Sequence, residues 1–248
     1  MICLIVGASS GIGRALAYVF AQKGWELILT ARRTGMLEEI RQSLPGVSIE
    51  THYMDVTHTE ESLEIMQKIF TRKIDLVILN AGTNMYDPAS PISTEAVTIR
   101  TNISGFAALA RCVLLRFLHT GQGHLAGVSS IAGLRGSPQN PAYSASKAFV
   151  SNYLQGLRGQ LPANSAIVIT DILPGFVETA MISRTQDIFF VSSSEKAAQQ
   201  IYRALMKKKK RVFITSRWAF LAIVYRILPE TVFFWLFRKT HPKEYLGS

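Results

Sequence analysis

Residues 2–13 read Ile2-Cys3-Leu4-Ile5-Val6-Gly7-Ala8-Ser9-Ser10-Gly11-Ile12-Gly13, a short apolar run followed at once by a glycine-rich turn. The run predicts a buried strand, and the helical spacing of the residues after it predicts a helix. Glycines permit a tight turn and a close approach of the backbone to a pyrophosphate, and the N-terminus of a helix favours an anion. The stretch therefore predicts dinucleotide binding by Gly7, Ser9, Ser10, Gly11, Ile12 and Gly13.

The rest of the chain repeats the alternation of apolar runs and helical segments. Further apolar runs lie at 26–30, 47–53, 74–79, 124–128, 166–172 and 211–215, and helical spacing recurs at 59–71, 106–118, 145–161 and 195–206. Strands that alternate with helices predict an α/β fold with a doubly wound parallel sheet, the Rossmann fold. We expect one domain over residues 1–215 and a C-terminal helical extension over residues 216–248.

The end of the second predicted strand indicates which dinucleotide is bound. An NAD site usually has an acid there for the ribose 2′-hydroxyl, but residues 29–35 contain none and include Arg32 and Arg33. A guanidinium suits the 2′-phosphate, so we expect NADP(H) rather than NAD(H). The alternative is that both arginines are ordinary solvated side chains. Asp55 follows the third strand and could accept from the adenine amino group or stabilise a helix start.

Four residues form a candidate catalytic group. Tyr143 and Lys147 are four positions apart and share one helix face. A phenol has a pKa near 10, and an ammonium beside it favours the phenolate, which suits a proton donor. Ser130 ends the fifth predicted strand at the same edge of the sheet. Asn102 lies in a helical segment, where an asparagine often marks a contact with the backbone or with a water molecule. The alternative is a polar residue on the helix surface.

These motifs, in this order, resemble the short-chain dehydrogenase/reductase superfamily from Met1 to about Thr215. The resemblance also covers two segments at the ends of predicted strands. They are Asn80-Ala81-Gly82 and Pro174-Gly175-Phe176-Val177-Glu178-Thr179. It implies hydride transfer between NADPH and a carbonyl, with Tyr143 as proton donor, Ser130 holding the oxygen, Lys147 binding the nicotinamide ribose, and Asn102 supporting a water. It also implies that Pro174, Gly175, Val177 and Thr179 line the cofactor, and that the chain forms a homodimer or homotetramer.

The C-terminal residues are unlike the rest of the chain in charge. Residues 207–248 hold ten Lys or Arg against two Asp or Glu, whereas residues 1–206 are nearly neutral. The run from Lys207 to Arg211 is followed by aromatic segments on both sides of Pro229, which predict two short helices. We favour a position in a membrane interface. The resemblance to family members that reduce keto-lipids or prenyl-linked sugars implies a hydrophobic or lipid-like substrate. The alternative is that these helices cover the domain or a subunit interface.

Other features narrow the classes of function. Two cysteines suit a reducing compartment, and the five histidines show no metal-ligand spacing. We expect no secretory signal, no run apolar enough to span a membrane and no nucleic-acid partner. The expected protein is a cytoplasmic reductase of a small-molecule carbonyl, peripheral at the inner face of a membrane. The alternatives are a catalytically idle NADP-binding regulator and a membrane-docked interaction protein.

Overall fold

The chain folds around one parallel sheet, as predicted. The computed structural model describes residues 1–85, 87, 89–177, 192–215 and 227–240. The strands are β1 (Ile2–Val6), β2 (Glu26–Ala31), β3 (Ile49–Tyr53), β4 (Leu76–Leu79), β5 (Gln122–Val128), β6 (Ala166–Pro174) and β7 (Arg211–Ile214). Their order is β3-β2-β1-β4-β5-β6-β7, and neighbouring strands are parallel. This is the doubly wound Rossmann arrangement.

Helices connect the strands and cover the sheet. They are α1 (Gly11–Gln22), α2 (Thr34–Ser43), α3 (Thr59–Ile69), α4 (Pro91–Ile99), α5 (Phe106–Thr120), α6 (Pro141–Gly159), α7 (Ser194–Met206) and α8 (Glu230–Thr240). The sequence did not predict α2 or α4. Each buries only two residues within the helix, Leu37 and Ile40 in α2 and Thr94 and Thr98 in α4, so neither shows a strong apolar period.

The strands are apolar throughout because both faces of the sheet are covered. Alternate residues of β1 enter different cores: Cys3 and Ile5 pack with α1 and α7, whereas Leu4 and Val6 pack with α3 and α5. Burying one such side chain contributes about 1.5–3 kcal/mol. Both cysteines are free thiols; Cys3 is fully buried, but Cys112 is only half-buried.

One helical run corrects the expectation that nothing in the chain could span a membrane. Residues Pro91–Thr120 form a helix that is long and apolar enough by length and composition. The run comprises α4, a π-helical turn (Arg100–Gly105) and α5. Part of its apolar surface belongs to the core, because Phe106, Val113 and Phe117 are buried beside the sheet.

The strand order places the candidate site. The order reverses between β1 and β4, and in such sheets ligands bind outside the carboxyl ends of the strands at that point. The segments after β1, β4, β5 and β6 therefore surround one crevice. Of the predicted extension, α8 lies at this same end, where Phe233 is buried and lies 5.1 Å from the guanidinium of Arg135.

Candidate active site

The turn after β1 has the geometry of a cradle. Gly7 has a φ of +86°, and a Cβ there would lie 2.6 Å from the backbone of Ala81. A Cβ on Gly13 would lie 2.1 Å from the Gly7 carbonyl oxygen, so α1 can pack on β1 only with glycine. Asn80 Nδ2 donates to that same oxygen at 2.7 Å. The residues that follow β4 thus pack against the glycine turn and hydrogen-bond to it.

The N-terminus of α1 has no side-chain cap. Ser10 is the N-cap residue, but its hydroxyl accepts from the Arg33 guanidinium at 2.7 Å rather than bonding to the helix. Ser9 Oγ accepts from the same guanidinium nitrogen at 3.1 Å. These partners are neutral, so they leave the positive charge of Arg33 unbalanced beside the uncapped helix. An uncapped N-terminus with a cation beside it suits a phosphate group.

Arg32 and Asp55 face each other at the adjacent strand ends. Arg32 is exposed, and its guanidinium lies 3.8 Å from the Asp55 carboxylate. The other Asp55 oxygen accepts from the Thr57 backbone at 3.0 Å and from its hydroxyl at 2.8 Å. Burial alone would raise the pKa of Asp55, but the Thr57 bonds and the Arg32 charge lower it. The Asp55 side chain therefore holds the turn that precedes α3, while the N-cap residue of that helix is His58.

Lys147 and Asn102 meet beneath Gly82. The Lys147 ammonium is buried and donates to the Val128 carbonyl oxygen at 2.9 Å. Asn102 lies in the π-helical turn, accepts from the Thr83 backbone at 2.8 Å and donates to the Thr83 carbonyl oxygen at 2.8 Å. A Cβ on Gly82 would lie 3.2 Å from the Lys147 ammonium and 3.3 Å from the Asn102 amide oxygen. Small size at position 82 therefore keeps the approach to both groups open.

Tyr143 lies one turn before Lys147 on α6. The Lys147 ammonium is 5.8 Å from the centre of the tyrosine ring. Burial raises the pKa of Tyr143 above its ordinary value, and hydrogen bonding with Ser130 offsets only part of this effect. This differs from the lowered pKa that the sequence suggests. Burial also lowers the pKa of Lys147, from 10.5 to about 8, although the charge of Asp171 opposes the shift.

Ser130 is buried at the end of β5, as predicted. Its hydroxyl accepts from the Ala132 backbone at 3.1 Å and donates to the Pro174 carbonyl oxygen at 3.4 Å. Pro174 ends β6, Gly175 donates from its backbone to Ile214, and Val177 is buried. Thr179 lies outside the described residues. The structure therefore places the described site residues either at the carboxyl ends of neighbouring strands or on the helical segments beside them.

Two positioning residues were not predicted. Asn140 is the N-cap of α6, where its side chain accepts from the Tyr143 backbone at 3.0 Å and donates to Asn84 at 2.7 Å. Asn followed by Pro141 is a recognisable helix-start signal. Ser146 accepts from Asn102 at 3.0 Å and donates to the Tyr143 carbonyl oxygen at 2.7 Å. That link joins side chains 44 positions apart, and no local pattern indicates it.

The family profile of the short chain dehydrogenases matches residues 1–188 of the chain. The chain belongs to the short-chain dehydrogenase/reductase family. Members of this family are oxidoreductases, and so is this enzyme. It is 32% identical to an uncharacterized oxidoreductase of Myxococcus xanthus over 237 residues, which cover 93% of each protein.

Solved structures of this family share the fold. A short-chain dehydrogenase/reductase from Burkholderia phymatum in complex with NAD superposes with a TM-score of 0.81 and 21% identity, covering 100% of this chain and 98% of that one. A short-chain dehydrogenase from Sphingobium yanoikuyae in complex with NADPH superposes with a TM-score of 0.77 and 23% identity. The match covers 99% of this chain and 98% of that one. A nicotinamide cofactor therefore fits this fold, and the choice between NAD and NADP depends on this chain's own residues.

Proposed function

We propose that this enzyme is an NADPH-dependent carbonyl reductase that also catalyses the reverse oxidation of an alcohol. The observation that carries the proposal is the placement of Tyr143 near Lys147, and of Lys147 and Asn102 beside Gly82, at the edge of the sheet where the glycine turn also lies. A proton donor beside a dinucleotide cradle suits reduction of a carbonyl group. A catalytically inactive NADP-binding regulator has no need of a buried ammonium beside a tyrosine. We therefore favour a catalytic function over a regulatory one.

The residues of the chain suit the cofactor. Gly7, Gly11 and Gly13 would admit the pyrophosphate, with Ile12 packed behind the turn. Asn80, Ala81, Gly82 and the segment from Pro174 to Thr179 would lie along the remainder. When bound, NADPH supplies a hydride to the carbonyl carbon. Lys147 would bind the ribose hydroxyls with the ammonium that now bonds to Val128.

Proton transfer would fall to Tyr143. Its hydroxyl would give a proton to the substrate oxygen while Ser130 holds that oxygen by a hydrogen bond. The raised pKa of Tyr143 keeps the phenol protonated at neutral pH, which suits reduction. Asn102 would brace the site through Thr83 and Ser146, and its role in supporting a water follows from the family resemblance.

NADP(H) is proposed over NAD(H) because of Arg33. Its guanidinium already lies at the turn that would hold the adenosine half, where its only bonds within the described part of the chain are to the hydroxyls of Ser9 and Ser10. A 2′-phosphate would exchange these neutral partners for charge-assisted bonds. Arg32 is exposed beside Asp55 and would contribute less.

The test is a fluorescence titration with NADPH and with NADH. Arg33→Ala is expected to weaken NADPH binding by roughly 10- to 100-fold and to leave NADH binding nearly unchanged. Arg41→Ala is the matched control, since Arg41 pairs with Glu38 on the exposed face of α2. Equal binding of NADPH and NADH by the wild type would disprove the preference. Binding of neither would disprove the reductase itself.

The substrate is proposed to be a hydrophobic or lipid-like ketone or alcohol, with the enzyme cytoplasmic and peripheral at the inner face of a membrane. In support, α8 packs Phe233 against the catalytic side while Val232 and Trp235 stay exposed. Co-sedimentation with phosphatidylcholine vesicles, with and without phosphatidylserine, tests this. Trp235→Ala is expected to reduce binding, and Ile92→Ala, an exposed apolar side chain on α4, is the control. Equal binding by both variants would contradict the proposal.

Pairing of two chains is proposed through the outer face of α5 and α6. The face presents Arg111, Phe149 and Tyr153, with the last two rings stacked 5.3 Å apart. Aromatic side chains of this kind are common in subunit interfaces. Sedimentation velocity is expected to show a dimer or tetramer that Phe149→Asp converts to a monomer.

A further inference from the structure

A carboxylate with no place in the proposed chemistry lies directly behind the catalytic strand end. Asp171 is fully buried in β6, where it pairs in register with Gly127 of β5. One carboxylate oxygen accepts from the Ser129 hydroxyl at 2.6 Å. The other lies 3.0 Å from the guanidinium of Arg211 in β7. Asp171 therefore ties three strands together below the site.

The hydrogen bond between Asp171 and Ser129 is connected to the site through the residues on either side of Ser129. Val128 accepts from the Lys147 ammonium, Ser129 bonds to Asp171, and Ser130 is the serine proposed to hold the substrate oxygen. Ser129 is also anchored through its backbone, which donates to the Ile172 carbonyl oxygen at 2.8 Å. A shift of Ser129 would thus move the partners of both Lys147 and the substrate.

Structural need alone does not account for a charge at this position. A buried ion pair is often no more stabilising than well-packed apolar side chains, because its desolvation is costly. Within the described ranges, the charged groups around Asp171 are Arg211, which is about one-third exposed, the half-buried Arg158 and the buried Lys147. Arg158 is directed at the carbonyl oxygens of Ile169 and Lys210. Lys147 has no other carboxylate acting on it among the described residues.

We propose that Asp171 is a positioning residue of the active site, which fixes Ser129 and thereby Ser130, and whose negative charge stabilises the buried ammonium of Lys147. This inference rests on the proposed function, because it assigns Asp171 to the same site. It predicts two separable effects. Loss of the charge changes the titration of Lys147, and loss of the Ser129 hydrogen bond changes the rate of reduction.

The first test measures Lys147 directly, without substrate or cofactor. In protein labelled with 13C-lysine, the Lys147 resonance is the one that Lys147→Arg removes. Asp171→Asn keeps the shape of the side chain and is expected to lower the titration midpoint by about one pH unit. Arg211→Met removes the countercharge and is expected to raise it. A merely structural role would not shift the midpoint in opposite directions.

The control for this test is Glu26→Gln, which removes a carboxylate from the ion pair with Arg72 at the other side of the sheet. It is expected to leave the Lys147 midpoint unchanged. The two site variants report independently, so a failure of either one to fold still leaves a result. An unchanged midpoint in a folded variant, or a shift of the same sign in both, would overturn the electrostatic part of the proposal.

The second test uses Ser129→Ala, which retains the charge of Asp171. With NADPH and 9,10-phenanthrenequinone as a carbonyl probe, kcat is expected to fall about 10-fold with little change in KM, while the Lys147 midpoint stays in place. Unchanged kcat would overturn the positioning role. NADPH titration of every protein separates this failure from that of the proposed function, in which the wild type itself would not bind or turn over.

Discussion

The two ends of the parallel sheet differ in what they can do. At the carboxyl end lie the glycine turn, the buried ammonium of Lys147 and the phenol of Tyr143. At the amino end is a cavity of about 770 Å³, lined by charged side chains that include Lys73, Arg116 and Lys208, but by none of the predicted site residues. The volume of a cavity therefore does not identify the candidate active site in this protein. Helix N-termini meet at the carboxyl end, whereas α3 and α5 finish at the amino end, where basic residues complement their dipoles.

The strongest expected contrast is in catalysis. Tyr143→Phe is expected to lower the rate of hydride transfer by roughly 10²- to 10⁴-fold, because the proposed proton donor is lost while the ring remains. Tyr153→Phe is the matched control on the same helix, since its hydroxyl makes a long 3.5 Å hydrogen bond to the Ala107 carbonyl oxygen, away from the glycine turn. Single-turnover oxidation of NADPH measures both. If the Tyr143→Phe enzyme kept the wild-type rate, the assignment of catalysis to the carboxyl end of the sheet would be wrong.

A second contrast is in alkaline stability. The folded pKa of Lys147 is lowered from 10.5 to about 8, so between these values the unfolded chain binds more protons. The free energy of unfolding therefore rises with pH across this window. Lys147→Met should stabilise the protein by about 3 kcal/mol at pH 7, and this gain should vanish toward pH 10.5. Urea unfolding at pH 7 and pH 10 measures it, and a gain independent of pH would contradict the assignment.

The amino end should respond in the acid range instead. His124 is buried beside Thr170, and burial, aided by the Lys208 charge, lowers its pKa from 6.5 to about 4. The unfolded chain therefore binds a proton first as the pH falls, and stability is lost between about pH 6.5 and 4. The loss should reach about 3 kcal/mol. His124→Gln should flatten this part of the pH–stability curve without changing NADPH affinity, and an unaltered curve would argue against a neutral buried imidazole.

The smallest expected effect is at Lys208. It has a φ of +51°, a conformation that costs a residue with a side chain about 1 kcal/mol relative to glycine. Lys208→Gly should therefore raise the free energy of unfolding by about 1 kcal/mol, whereas Lys209→Gly should give no gain. Thermal unfolding of the two variants measures this. A loss of NADPH turnover in Lys208→Gly would mean that the two ends of the sheet are coupled.

The elements and the glycine turn were predictable because their signals are local. An apolar run before glycines specifies a strand and a turn within a dozen residues, and the absent acid after β2 is visible in the sequence. The different contacts of Arg32 and Arg33 were not predictable, because both follow the same strand and only the folded turn brings Ser9 and Ser10 to Arg33. Helices α2 and α4 were missed because so few of their residues are buried.

The basic C-terminal region shows the same limit. In the sequence it is a single charged and aromatic segment, but the fold divides it. Lys208 lines the amino-end cavity, whereas Phe233 of α8 packs on Arg135 at the carboxyl end. By itself, the sequence determined the strand–helix alternation and the glycine turn, and it predicted the catalytic group, since these depend on periodicity and residue type. Only the tertiary structure decided which distant side chains meet, such as Asn102 with Ser146 and Ser129 with Asp171, because these contacts require the whole sheet to assemble.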